Sequence, residues 1–199
     1  MDNYDGIMKM LKDEYLSVDV SNCFSDEDGM HLWHVKAALI KEFDLDDDEI
    51  EHQTVGQMQG LIIPAAENFC EKVDHINYHS LWELCDSVSG DLAAVYDGFY
   101  DRSDSIKDEI IVELGLSEFD KFDRGILYFE EVSYDDLNYL EKMINCMHLI
   151  KEGSAAHYCG IVVIILNKVE EDSVIQICLD CGWKIKSVGG EGVVVYTKL

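Results

Sequence analysis

Gly160-Ile161-Val162-Val163-Ile164-Ile165-Leu166 is the stretch on which the fold turns. After its glycine it offers no polar side chain to water, and nearly every residue is β-branched. Such a run marks a strand buried on both faces of a sheet, which needs helices packed above and below it. On its N-terminal side Asp136–Lys151 carries apolar residues at helical spacing, and Gly153 stands where a C-terminal cap belongs. Before that, Ile126–Tyr134 reads as a strand. On the other side Ser173–Cys181 reads as a helix ended by Gly182. Trp183–Val188 and Val193–Lys198 then flank Gly189-Gly190 as a closing hairpin. Strand, helix, strand, helix, strand, strand gives an α/β fold class, a mixed central sheet flanked by helices.

Further upstream the pattern is less decided. Residues 1–16 place Tyr4, Ile7, Met8, Met10, Leu11 and Tyr15 at helical spacing, which predicts a short amphipathic helix. Ser21–Gly29 is polar and turn-like. His31–Phe43 fits a strand through Trp33, Val35, Ala37 and Leu39, and a helix through Leu32, Val35, Leu39 and Phe43. Asp44–Glu51 reads as an acidic loop, and Val55–Ile63 as a strand. Ser80–Tyr100 reads as helical, broken or kinked at Gly90, with a short helical piece near Ile106–Leu114. No Pro/Gly/Ser-rich linker or internal repeat divides the chain, and Pro64 is its one proline. With 199 residues, enough for one good core, the expected organisation is an N-terminal helix and acidic connection over 1–30, then a single domain over 31–199.

Charge is the most unusual global property. Forty-one acids against 15 bases leave −26, and residues 1–100 alone carry −17. Such a field repels nucleic acid, anionic membrane and CoA phosphates, and attracts basic proteins. An acidic surface kept for solubility accounts for the composition as well as one that imitates a nucleic-acid backbone. Seven cysteines, an odd number scattered largely through apolar runs, argue for a reducing compartment and against a disulfide framework. No basic segment followed by an apolar stretch opens the chain, and no run is long enough to span a bilayer, so a cytoplasmic protein is expected.

The C-terminal order and its residues resemble the GNAT superfamily of acyl-CoA-dependent N-acyltransferases. Leu127-Tyr128-Phe129-Glu130-Glu131-Val132 resembles the family's central strand. Ile177-Cys178-Leu179-Asp180-Cys181-Gly182-Trp183 resembles its late helix with a Gly-aromatic pair, and Gly192-Val193-Val194-Val195-Tyr196-Thr197-Lys198 its closing strand. Val55-Gly56-Gln57-Met58-Gln59-Gly60 is similar to the early meander, and Asp86–Phe99 to a helix of some divergent members. The likeness covers roughly residues 31–199 and tips His31–Phe43 towards strand. It implies acetyl-CoA binding through an Arg/Gln-x-x-Gly-x-Gly/Ala turn after the central strand, where backbone N–H groups cradle the pyrophosphate. The corresponding stretch runs from Asn138 to Ile144. Its residues Tyr139, Leu140, Glu141, Lys142 and Met143 include no glycine and no arginine, and Asp135 and Asp136 precede it. Where many members carry a tyrosine as general acid, the alignment places Cys178. The resemblance therefore implies a degenerate member with no bound cofactor and no catalytic residues, a pseudo-acetyltransferase.

Other constellations are weak. Cys178-x-x-Cys181 is a lone pair with no later Cys or His; His148 or His157 would have to complete a zinc site, and two packed thiols are the better reading. His31/His34 and His75/His79 have ligand-like spacing without carboxylate geometry. Asp26-Glu27-Asp28-Gly29 and Asp46-Asp47-Asp48-Glu49 lack the alternating ligands of an EF-hand. Strand alternation would send Glu130 and Glu131 to opposite faces, so at most one would line a cleft. Aromatics are not interleaved with basic residues, which argues against direct nucleic-acid binding. The expected function is that of a non-catalytic acidic protein. It binds and inhibits or regulates a basic partner, such as a nucleic-acid-binding or defence-system protein, by imitating nucleic acid. Asp44, Asp46, Asp47, Asp48, Glu49 and Glu51 form the expected contact surface. The alternative is a divergent N-acetyltransferase using acetyl-CoA on a cationic amine. No membrane partner is expected, and the oligomeric state is left open, a homodimer included.

Overall fold

The computed structural model describes residues 4–11, 14–25, 30–44, 50–65, 80–118, 124–147, 159–166, 172–189 and 192–199. Strands are β1 (Tyr4–Leu11), β2 (Glu14–Ser25), β3 (Met30–Asp44), β4 (Ile50–Ile63), β5 (Gly125–Tyr134), β6 (Cys159–Leu166), β7 (Lys184–Val188) and β8 (Gly192–Lys198). Helices are α1 (Leu81–Val88), α2 (Gly90–Phe99), α3 (Asp108–Leu114), α4 (Leu137–Asn145) and α5 (Asp172–Asp180). Among the described residues the strands form one mixed sheet in the order β1-β2-β3-β4-β5-β6-β8-β7, in which only β5 and β6 run parallel.

Each of the eight residues of β6 is buried, because both faces of the sheet are covered there. Val162, Ile164 and Leu166 pack with Leu140, Met143 and Ile144 of α4 and Val174 and Cys178 of α5. Ile161, Val163 and Ile165 pack with Leu84 of α1, Leu92, Val95 and Phe99 of α2, and Ile110 of α3. A three-layer α/β/α arrangement results. Each fully buried aliphatic side chain of this kind contributes about 1.5–3 kcal/mol.

The C-terminal expectations hold in outline. α5 stops at Gly182, whose φ of +84° suits glycine, and Gly189 turns the β7–β8 hairpin at φ +59°. His31–Phe43 lies within β3. The break near Gly90 falls at Ser89, which caps α2 by accepting a hydrogen bond from the Leu92 amide at 3.1 Å. Gly153 lies outside the described residues.

The N-terminal helix expected over 1–16 is not there. Residues 4–11 and 14–25 are strands of the same sheet, paired from Tyr4↔Val20 to Leu11↔Glu14, and Ser21–Ser25 continue β2 rather than turning. Two apolar periods compete in this stretch. Leu16 and Val18 are buried while Asp19 is exposed, a period of two that the helical count over residues 4–15 concealed. A short helix must also overcome its nucleation cost, whereas the β3 edge offers ready hydrogen-bonding partners.

A β-bulge shapes the centre of the sheet. β4 pairs Gln59 with Glu131 and Gly60 with Phe129, leaving Glu130 as the extra residue of β5. The strands approach so closely there that a Cβ on Gly60 would lie 1.8 Å from the Tyr128 carbonyl oxygen and 2.7 Å from Phe129 Cα. Gly90, by contrast, has open space around it. Gly60→Ala is therefore expected to cost about 2–3 kcal/mol. Gly90→Ala should be neutral or slightly stabilising. Chemical denaturation of both variants checks the pair.

Candidate functional site

Parallel strands followed by helices create a crevice beyond their carboxyl ends, the usual location of a ligand site in α/β sheets. β5 and β6 pair from Gly125↔Cys159 to Phe129↔Ile164, and beyond that β5 continues without β6. The parting coincides with the bulge at Glu130.

The residues matched to the pyrophosphate turn lie wholly within α4, not in a turn. β5 ends at Tyr134, Asp135 and Asp136 connect, and the helix begins at Leu137. The Asp136 carboxylate accepts a hydrogen bond from the Asn138 amide at 2.7 Å, and the Asp135 amide donates to the Val55 carbonyl at 3.0 Å. The helix N-terminus thus already holds an anion, the chain's own. Leu140 and Met143 are buried against the sheet. Met143 lies so close over β4 that a Cβ on Gly56 would come within 2.5 Å of its sulfur.

Lys142 and Tyr139 tie α4 to the N-terminal strands. The Lys142 ammonium sits 2.7 and 2.8 Å from the two oxygens of Glu14, whose side chain is 9% exposed. Tyr139 accepts a hydrogen bond from Lys41 at 3.3 Å, and the Lys41 and Lys142 ammonium groups stand 5.9 and 5.4 Å from its ring centroid. Glu141 faces solvent. Sequence reading missed the Glu14–Lys142 pair, since 128 positions separate its partners and nothing local marks it.

The expected acidic contact surface sits at the same end of the sheet. β3 and β4 remain paired out to Asp44↔Ile50. β2 begins at Glu14↔Lys41, and β5 ends at Gly56↔Tyr134. Among the described residues, Glu42–Asp44 and Ile50–Thr54 therefore project as a two-stranded arm. Asp44 and Glu51 belong to its strands, so the loop expected over 44–51 is shorter than predicted; Asp46, Asp47, Asp48 and Glu49 lie outside the described residues. Glu51 is exposed, as are Phe43 and Ile50 at 37% and 55%. Gln53 reaches from the arm to the Asp135 carboxylate at 3.4 Å.

Glu130 and Glu131 correct a second expectation. Phe129, Val132 and Tyr134 all pack on the α4–α5 side, so the bulge has shifted the alternation, and both glutamates fall on the opposite side. Burial, then the Glu131 charge, raises the Glu130 carboxyl above its ordinary value, with Asp91 adding to the rise and His34 opposing it. Beneath them the Tyr128 hydroxyl is fully buried with no hydrogen-bond partner among the described residues, and burial, then Glu130, pushes it up.

Cys178 is buried in the α4–α5 layer, and burial, then Cys181, pushes its thiol up to about 12. It sits in the core as a buried thiol. Cys181 is half-buried, its thiol also raised by burial. His34 is exposed; His75, His79, His148, His157 and residues 26–29 lie outside the described residues. Among the described residues no group of three or more His, Cys, Asp or Glu is placed to hold a metal ion, and no helix is long and apolar enough to cross a membrane. Compared with known proteins, the chain matches no family model, no curated protein and no solved structure.

Two outcomes follow from this geometry. Lys142→Met leaves the buried Glu14 carboxylate unpaired and is expected to cost about 1–3 kcal/mol. Adding Glu14→Gln should restore part of that loss, which a double-mutant denaturation cycle measures. Glu130 has a raised folded-state pKa, so its carboxylate lowers stability once it ionises. Glu130→Gln should stabilise the fold near pH 7, with the gain fading as pH falls towards about 4; thermal melts across that range check the sign.

Proposed function

We propose that this chain is an enzymatically inert, GNAT-like scaffold that binds a basic partner protein in the cytoplasm. It holds the partner through the acidic end of its sheet and so inhibits or regulates it, its carboxylates standing in for nucleic-acid phosphates. The observation that carries the reading is the closed N-terminus of α4. A GNAT enzyme needs free amides and small residues there, whereas here Asp136 caps the helix and Met143 packs down on Gly56. The order β5–α4–β6–α5–β7–β8 supports the scaffold half of the proposal. The charge of −26, with Asp44, Glu51, Asp135 and Asp136 grouped around the projecting arm, supports the partner half.

One observation favours an alternative, an acetyltransferase acting on a cationic amine. Glu130 and Glu131 share a side of the sheet near Asp91, which would attract an ammonium. Titration with acetyl-CoA separates the readings, and saturable micromolar binding would overturn the inert scaffold.

For the partner, the expected outcome is association that slows at least tenfold as salt rises from low to physiological strength, with dissociation changing less. DNA or RNA should compete. Replacing Asp46, Asp47 and Asp48 together by Asn should weaken binding without lowering the melting temperature. Salt-independent affinity for the protein pulled down from the host would mean a hydrophobic interface and a charge kept for solubility.

A further inference from the structure

β1 is the outermost strand at one rim of the sheet, and among the described residues nothing pairs with its outer side. Edge strands are normally blunted by shortness, by proline or by like charges. The opposite rim, β7, is five residues long and carries two lysines. β1 runs for eight residues without proline, and its two charged residues, Asp5 and Lys9, have opposite signs.

The places of those two charges select what can add to the edge. Two copies related by a two-fold axis perpendicular to the sheet pair antiparallel, and residues of the same face meet across the axis. Alternate positions share a face, so the axis passes through a residue. Centred on Gly6, the register sets Asp5 against Ile7; centred on Met8, it sets Lys9 against Ile7. Centred on Asp5 or Lys9, it sets like charges opposite each other, which is destabilising. Only the register centred on Ile7 places Asp5 of each copy opposite Lys9 of the other. The neighbouring strand adds a second argument. On β2, Asp19 stands opposite Asp5, and Lys36 of β3 stands opposite Asp19. Within one copy this cross-strand row ends in two adjacent acids. Lys9 of a second copy completes it with a cation at each end.

We propose that β1 is a self-association edge, along which two copies of this chain pair antiparallel from Tyr4 to Met10, centred on Ile7, and join their sheets into one. The charge of −26 on each copy opposes this. That repulsion is summed over the whole molecule and is screened as salt rises, whereas the Asp5–Lys9 pairs act at contact distance. Salt therefore favours the dimer, the reverse of its effect on a basic partner drawn in by charge. The inference is independent of the arm and of any such partner.

Sedimentation velocity of the intact chain over a range of protein concentrations, in about 50 mM and about 1 M salt, tests it. Tighter dimerisation is expected at the higher salt. There, Asp5→Lys and Lys9→Asp should each weaken the dimer about five- to tenfold. An equimolar mixture of the two variants should recover it, because in the mixed pair each acid again meets a lysine. The double variant carrying both changes keeps the composition and should dimerise as the parent does. Asp5→Lys is the sharper of the single changes, since it reduces the chain's negative charge. If diffuse repulsion alone governed association, that change would strengthen the dimer. A monomer at both salts would overturn the proposal. So would single variants that associate as well as the parent, or a mixture no better than its components.

Discussion

A strand with no polar side cannot lie at a surface, and the organisation of this protein follows from that constraint on β6. Burial of both faces demands helices on both, and the chain supplies α4 and α5 to one and α1, α2 and α3 to the other. β6 also runs parallel to β5, which no hairpin can arrange, so the chain must cross over through α4. The crossover brings the N-terminus of α4 to the carboxyl end of β5 and defines the crevice.

What the chain does with that crevice is set by contacts made far from it in sequence. Glu14 on β2 draws Lys142 down, Lys41 on β3 meets Tyr139, and Gly56 on β4 admits the Met143 sulfur. Together they press α4 against the N-terminal half of the sheet. Asp136 then satisfies the helix end from within. The end of α4 is thus closed by the chain's own side chains, and Asp135 and Asp136 are exposed beside the arm.

Legibility in the sequence followed the strength of local signals. The β6 run, Gly182 and the Gly189-Gly190 turn each point to one structure, so the C-terminal half could be read closely. Residues 4–11 could not, because their spacing suits a helix and their strand state depends on pairing with β2. The shared side of Glu130 and Glu131 was hidden for a similar reason. Alternation is a local rule, and the exception to it comes from Gly60 on the neighbouring strand. Asp44 and Glu51 read correctly as acidic but wrongly as loop, since a projecting pair of strands need not bury either face and so shows no period.

Among the described residues the sheet does not close, and its two rims are guarded differently. β7 is five residues long and carries Lys184 and Lys186, a short, charged border that gives another chain little to pair with. β1 is longer and presents a row of backbone donors and acceptors on its outer side. Its protection comes from the molecule as a whole: two copies approaching edge to edge bring −26 against −26. The acidity thus serves as colloidal insulation, which counter-ions thin as salt rises.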